Sequence, residues 1–352
     1  MRHRSLYSLV VFTLACLVAR AQEDIEVTPP SSNKDSIRDI NIVRFPDHFF
    51  LYPVIKQRSL SFELEKRDRS DLLTFKPNNS FSLGVGFYLF EVGAEIAFAV
   101  PLDEQSKEIY GESRARDIQL NLLGKRWGMD IFYQKYSGFY VIDKGEEPAA
   151  GMPYPQRPDI VSRNFGVTGH YIFNKNRFSF RAVYNFSERQ LYSKGSFLLF
   201  ATVNSFRFSA DRSILTAEQE AIFGEEVSFK HLRYTTFSIA PGYTYSLIFK
   251  NFFLNGALTI GPAHHWIRHQ LETSASKDNI AINSFVGARI GIGYNGDRLF
   301  GGIGFYSQGN NVKFEDVQFS NNNGSFKILL GYRFREFGIL KRRAWEAIPF
   351  KI

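Results

Sequence analysis

Three histidines, His264, His265 and His269, lie close together in the stretch GPAHHWIRHQLE. Imidazole is a common ligand for zinc, copper and nickel, and in an extended strand residues 265 and 269 project from the same face. No acidic cluster accompanies them, so a metal centre here competes with a plain polar strand end. The neighbouring Glu272-Thr273-Ser274 adds a second chemistry, because serine, histidine and carboxylate together can cleave an ester. Triads on a barrel wall come from different strands, however, and sequence spacing singles out no catalytic residue. His170 falls in an alternating stretch with Asn164 and Gly166 on its side, which suits a lumen residue better than a base. No cofactor is assigned.

The elements that position these groups are strands. SFSLGVGFYLFEVGAEIAFAV, residues 80–100, is long and apolar enough for a membrane helix, yet it alternates. Phe81, Leu83, Val85, Phe87 and Leu89 share one face with serines and glycines between them. Beyond Phe90-Glu91 the phase flips to Val92, Ala94, Ile96 and Phe98, as a tight turn between two strands requires. Each strand of this hairpin has one apolar face and one small or polar face. Across the chain, Glu95, Asp117, Arg126, Asp130, Arg181, Arg289, Lys327 and Arg333 fall on the face opposite the apolar set. In a membrane barrel that face is the lumen, where mixed signs favour mutual pairing. Gly84, Gly86, Gly287, Gly291 and Gly293 leave room there for long side chains from neighbouring strands.

The same design repeats. Ser59–Lys66 carries Leu60, Phe62 and Leu64 on one face; residues 117–123 return through Gly124-Lys125 into Trp127, Met129, Ile131 and Tyr133. Further hairpins are expected at 165–186, 237–261 and 280–306, with 326–334 closing the series. Turns near 90, 124, 175, 250 and 296 are short, and connections near 102–114, 137–161, 207–231, 266–279 and 309–323 are long. Short periplasmic turns and long outer loops are the habit of outer-membrane barrels. Thirteen strand candidates emerge where bacterial barrels favour an even number; short and long connections alternate everywhere except near 187–196, so the segment around 197–206 is the candidate expected to lie outside the wall. The expectation is an all-β, antiparallel transmembrane barrel of about twelve strands, with fourteen as the alternative.

The chain begins as an exported protein does. MRHR, an apolar run from Leu6 to Val18, and Ala19-Arg20-Ala21 form a signal peptide over residues 1–21. Residues 22–58 read as a periplasmic lead-in, 59–335 as the barrel and 336–352 as a C-terminal tail. Cys16 is the only cysteine and lies in the leader, so thiolate-zinc sites, thiol catalysis and disulfides are excluded from the mature chain. Removing the leader removes three arginines and no acid, which lowers the net charge from +8 and leaves no basic run for nucleic acid. Thirty-six phenylalanines and 27 glycines without a membrane helix after the leader again suit a barrel.

Lys76-Pro77-Asn78 leading into Leu83-Gly84-Val85-Gly86, DIQLNLLGKRWGMDIFYQKYSGFY at 117–140, GSFLLF at 195–200 and GYRF at 331–334 resemble a domain-of-unknown-function family of predicted outer-membrane barrels of Gram-negative bacteria. The resemblance covers about residues 45–335 and implies location and fold, without an activity or site residues to carry over. The leading functional expectation is a structural barrel or a porin-like narrow solute channel. The alternatives are an assembly or docking component of the envelope, using a periplasmic or surface protein as partner, and a barrel-wall lipid-modifying enzyme. Outer-membrane lipid and the outer-membrane insertion machinery are the expected partners.

Overall fold

A computed structural model describes residues 36–335, except 69, 90, 91, 145, 147, 150 and 272–275. The leader, the tail and Glu272-Thr273-Ser274 therefore lie outside the described residues. The described chain opens with α1 (Ser36–Asn41) and β1 (Ile42–Arg44), followed by β2 (His48–Lys66), β3 (Leu72–Lys76), β4 (Ser82–Leu89) and β5 (Val92–Ala99). α2 (Glu104–Tyr110), β6 (Arg114–Leu123), β7 (Trp127–Asp143), β8 (Gln156–Ile172), α3 (Phe180–Tyr184), β9 (Glu188–Gln190) and β10 (Lys194–Ser209) come next. After α4 (Ala217–Phe223) and a 3-10 turn, the chain runs through β11 (Phe229–Phe249), β12 (Phe252–Leu271), β13 (Ser276–Asn295), β14 (Leu299–Phe314) and β15 (Val317–Arg335). Among the described residues no helix is long and apolar enough to cross a membrane.

The strands form an antiparallel barrel. Pairing runs from β15 back through β14, β13, β12, β11, β10, β8, β7 and β3 to β2, and β2 closes the ring on β15 with Val54 opposite Leu329 and Leu64 opposite Phe319. The hydrogen-bonded ring thus has ten strands rather than twelve or fourteen. Two features separate this ring from the expected one: the first exchanges one wall segment for another and leaves the count unchanged, and the second, in which β4, β5 and β6 leave the closed ring and β3 enters it, lowers the count by two. Phe178–Phe186, expected as a wall strand, turns into the lumen, where Ser179 caps α3 by accepting from the Ala182 N–H. Residues 197–206, the expected outsider, belong to wall strand β10, paired on both sides by β8 and β11.

The second feature is a split wall. Near the loop end β2 pairs with β3 through Phe62–Glu65; nearer the short-turn end it pairs with β4 through Phe50–Lys56. β3 passes directly to β7, whereas β4 passes to β5, and β6 pairs with β7. β5 and β6 flank a seam across which the described residues form no strand pairing. α2 bridges their upper ends, with Asp103 accepting from the Ser106 N–H at its start and Gly111 at φ 80° ending it.

Two expected long loops are strands instead. β12 and β13 extend to residues 271 and 276, and β14 and β15 meet at a two-residue Glu315-Asp316 turn. The asparagines that read as loop pair across this ladder, Asn310 opposite Asn321 and Asn311 opposite Ser320, and inward Asn321 donates to the Tyr234 hydroxyl at 3.0 Å. The wall also starts earlier than expected, at His48 in the anticipated lead-in.

The lumen is filled at both ends. At the loop end Phe62 stacks on Phe75 (4.9 Å) and packs against Phe139, Phe208 and Phe319. Ile214, Leu215, Phe223 and Val227, from the 210–228 connection, join this core as a cap. Each such buried side chain stabilises by about 2 kcal/mol before the cost of ordering it. Leu60, Phe62 and Leu64 therefore point inward, reversing the expected facing of that stretch. At the short-turn end α1, β1, α3 and β9 form a plug, in which β1 pairs with β9.

Candidate functional site: a charged cavity within the barrel

Between the two fillings lies a layer of polar side chains. Asn204 donates to Asn164 (2.6 Å), Asn164 to Gln134 (3.1 Å), and Gln134 to Asp117 (2.9 Å). Tyr136 also donates to Asp117, whose ion-pair partner is Arg58 at 3.4 Å. Beside this chain is a cavity of about 140 Å³, bordered by Lys56, Arg58, Glu95, Arg289, Tyr306 and Lys327 among others. β5 and β6 contribute Glu95, Gln119 and Asn121 to it, so it lies directly behind the unpaired seam.

Glu95 gathers the cations on its side. It accepts from the Tyr52 hydroxyl and from Lys327, both at 3.0 Å, and it pairs closely with Lys56. Arg289 binds Asp130 at 2.8 Å and lies 4.8 Å from the Tyr306 ring centroid. Buried charges held this way are satisfied rather than free. The sequence-derived lumen set thus resolves into groups: Glu95, Asp117, Asp130, Arg289 and Lys327 meet in this layer.

The other three residues of that set lie elsewhere. Arg126 is exposed in the short turn between β6 and β7, over the Tyr171 ring. Arg181 sits in the plug, bonded to Ser187 and Tyr88 and 3.7 Å from Glu188. Arg333 is buried at the short-turn end with backbone carbonyls for partners, Gly296 and Phe186, together with the Asn295 amide oxygen at 2.6 Å. Aromatic rings of Phe45, Phe300 and Phe50 surround its guanidinium. Glu188 accepts from Arg38 and Ser179 at 2.5 Å each, locking α1 against β9.

The histidines separate as strand alternation demands. His264 faces outward against Trp266, whereas His265 and His269 are buried inside. His265 Nδ1 lies 2.8 Å from the Thr236 hydroxyl. Among the described residues no three histidines, cysteines or carboxylates converge on a metal position. His170 is buried between Phe200 and Phe180, an inward position as its neighbours suggest.

Sequence reasoning missed Lys56, Arg58 and Tyr52, which lay in the expected lead-in. The signal was present: positions 52, 54, 56, 58, 60, 62 and 64 share one parity, so the face bearing two cations also bears three large apolar residues. Glycines mark the inward space more faithfully. A Cβ on Gly86 would strike the Tyr52 ring at 2.1 Å, and one on Gly291 would meet Val183 of the plug. Neither glycine leaves an empty lumen.

An antiparallel β-barrel with an occupied, charge-paired interior is the class these observations define. The chain matches the family described as "Domain of unknown function (DUF4421)" over residues 41–334, and it belongs to that family. No curated protein matches it. Among solved structures it is similar to the outer membrane protease OmpT of Escherichia coli, with 10% identity, 83% of this chain and 98% of that chain covered, and a TM-score of 0.39. It is also similar to the translocator domain of autotransporter NalP of Neisseria meningitidis, with 9% identity, 82% and 88% coverage and a TM-score of 0.32.

Proposed function

We propose that the protein is an outer-membrane barrel with a closed lumen, a structural element of the envelope rather than a solute pore. Its signal peptide delivers it for export, and the insertion machinery places the barrel in the membrane. The observation that carries this reading is the double closure of the lumen, by the aromatic core and its 210–228 cap at one end and by the α1/β1/α3/β9 plug at the other. Outward Val85, Phe98, Phe237, Leu258 and Ile292 are exposed, as a lipid-facing wall requires. The cations bordering the central cavity are held by Glu95, Asp117 and Asp130, which supports a packed polar layer rather than a selectivity ring.

Planar-bilayer recording of the purified full chain tests the proposal. Insertion without a steady open conductance is expected. Stepwise, long-lived conductance from the unmodified chain would replace it with the narrow-channel reading.

A further inference from the structure

The outer wall carries a line of positive charge that the lumen does not explain. Arg116 on β6 stands opposite Lys135 on β7, Lys135 opposite Arg163 on β8, and Arg163 opposite Arg207 on β10. Arg207 stands opposite Arg233 on β11, and Arg233 opposite Arg268 on β12. Six consecutive wall strands thus present a cation at one level. With strands about 4.8 Å apart, the row extends roughly 25 Å around the barrel.

The five arginines are exposed and Lys135 is half-exposed. Arg268 pairs with Asp278 on β13 at 2.6 Å, ending the row with an acid. Arg163, Arg207 and Arg233 form no ion pair with a described residue, and with Arg268 they line a recess of about 230 Å³ that also includes His231. Like charges directly opposite on neighbouring strands repel, so this arrangement destabilises the isolated wall. An anionic partner converts that cost into affinity.

The position of the row identifies the partner. One step along the outward face lie Ile118, Tyr133, Phe165, Ser205, Thr235 and Trp266, and the next step holds Leu120, Ile131, Val167, Val203 and Phe237, with His264 on β12. Three of the six residues in the first step are aromatic and five of the six in the second are apolar, the order in which interfacial aromatics and then apolar side chains border hydrocarbon in a membrane barrel. A ligand on the arginines therefore sits where acyl chains begin. Guanidinium groups bind phosphate oxygens in pairs, and neighbouring strands offer several such forks side by side.

We propose that this row binds the phosphorylated headgroups of anionic lipids in the surrounding leaflet. The proposal rests on the membrane-embedded reading above. Its test uses the purified full chain in detergent micelles, with native mass spectrometry counting bound phosphatidylglycerol against phosphatidylcholine of the same acyl chains. The wild type is expected to prefer phosphatidylglycerol, and Arg207→Gln with Arg233→Gln is expected to weaken that preference by about thirtyfold. Arg207→Lys with Arg233→Lys should retain most of it. Heat-modifiable migration on a denaturing gel verifies that each variant is folded.

A wild-type chain without headgroup preference, or a preference untouched by the glutamine pair, overturns the proposal. Displacement of the lipid by millimolar inorganic phosphate does so too, assigning the row to a free anion. Insertion into phosphatidylcholine vesicles separates the two readings. A wild type that inserts yet shows no preference defeats this proposal alone, whereas one that cannot insert defeats the membrane reading with it.

Discussion

The two ends of the lumen are filled by different physics. The loop end holds a dry core of stacked rings around Phe62, whereas the short-turn end holds a plug fastened by Glu188, Arg38, Arg181 and Arg333 through charged and backbone hydrogen bonds. The dry end depends on shape: removing atoms leaves a cavity that packed neighbours only partly refill. The fastened end depends on pairing, because losing one partner strands the other away from water. The central polar layer follows the second rule while bordering the first.

The contrast is broken most severely by Phe62→Ala. Its ring contacts four other phenylalanines, so a loss of about 4 kcal/mol in unfolding free energy is expected, measured by denaturant titration of the refolded barrel. A change under about 1 kcal/mol would mean the loop-end core is loosely packed. Next comes Arg289→Ala, which strands Asp130 and should cost about 3 kcal/mol in the same titration. An unchanged stability accompanied by new cation-selective conductance would instead place Asp130 in water.

Val85→Arg asks whether the contrast is confined to the interior. This outward residue on β4 should cost about 2 kcal/mol in a bilayer and far less in detergent, where water reaches the added charge more easily. Equal costs in both media would argue against a lipid-facing position. The smallest expected effect is Thr236→Val, which removes the partner of His265 and should cost about 1 kcal/mol. A stability gain there would show that the bond contributes less than a well-packed methyl group.

Much of the wall was legible because alternation reports facing directly. The 82–99 hairpin and its phase flip appear as β4 and β5, with Val85 and Phe98 outward and Glu95 inward. The rule failed where the inward face is itself apolar. Leu60, Phe62 and Leu64 look like lipid-facing residues to any reading that equates the lumen with polarity. It failed again at Phe178–Phe186, whose aromatic residues suit a wall strand as well as a plug; only the tertiary pairing of β9 with β1 distinguishes them. The Glu95 and Asp130 pairs were beyond local reading for a similar reason, since their partners are distant in sequence.

The β1–β9 ribbon has a consequence for the timing of assembly. Ile42 pairs with Gln190 and Arg44 with Glu188, so a segment preceding the first wall strand must wait for a segment from the middle of the chain. A closure of that length is entropically slow and gains nothing until both edges are present. The plug is therefore a late latch, set only after β2 through β8 have been synthesised. Chains interrupted before residue 188 lack the strand that holds the N-terminal segment in place.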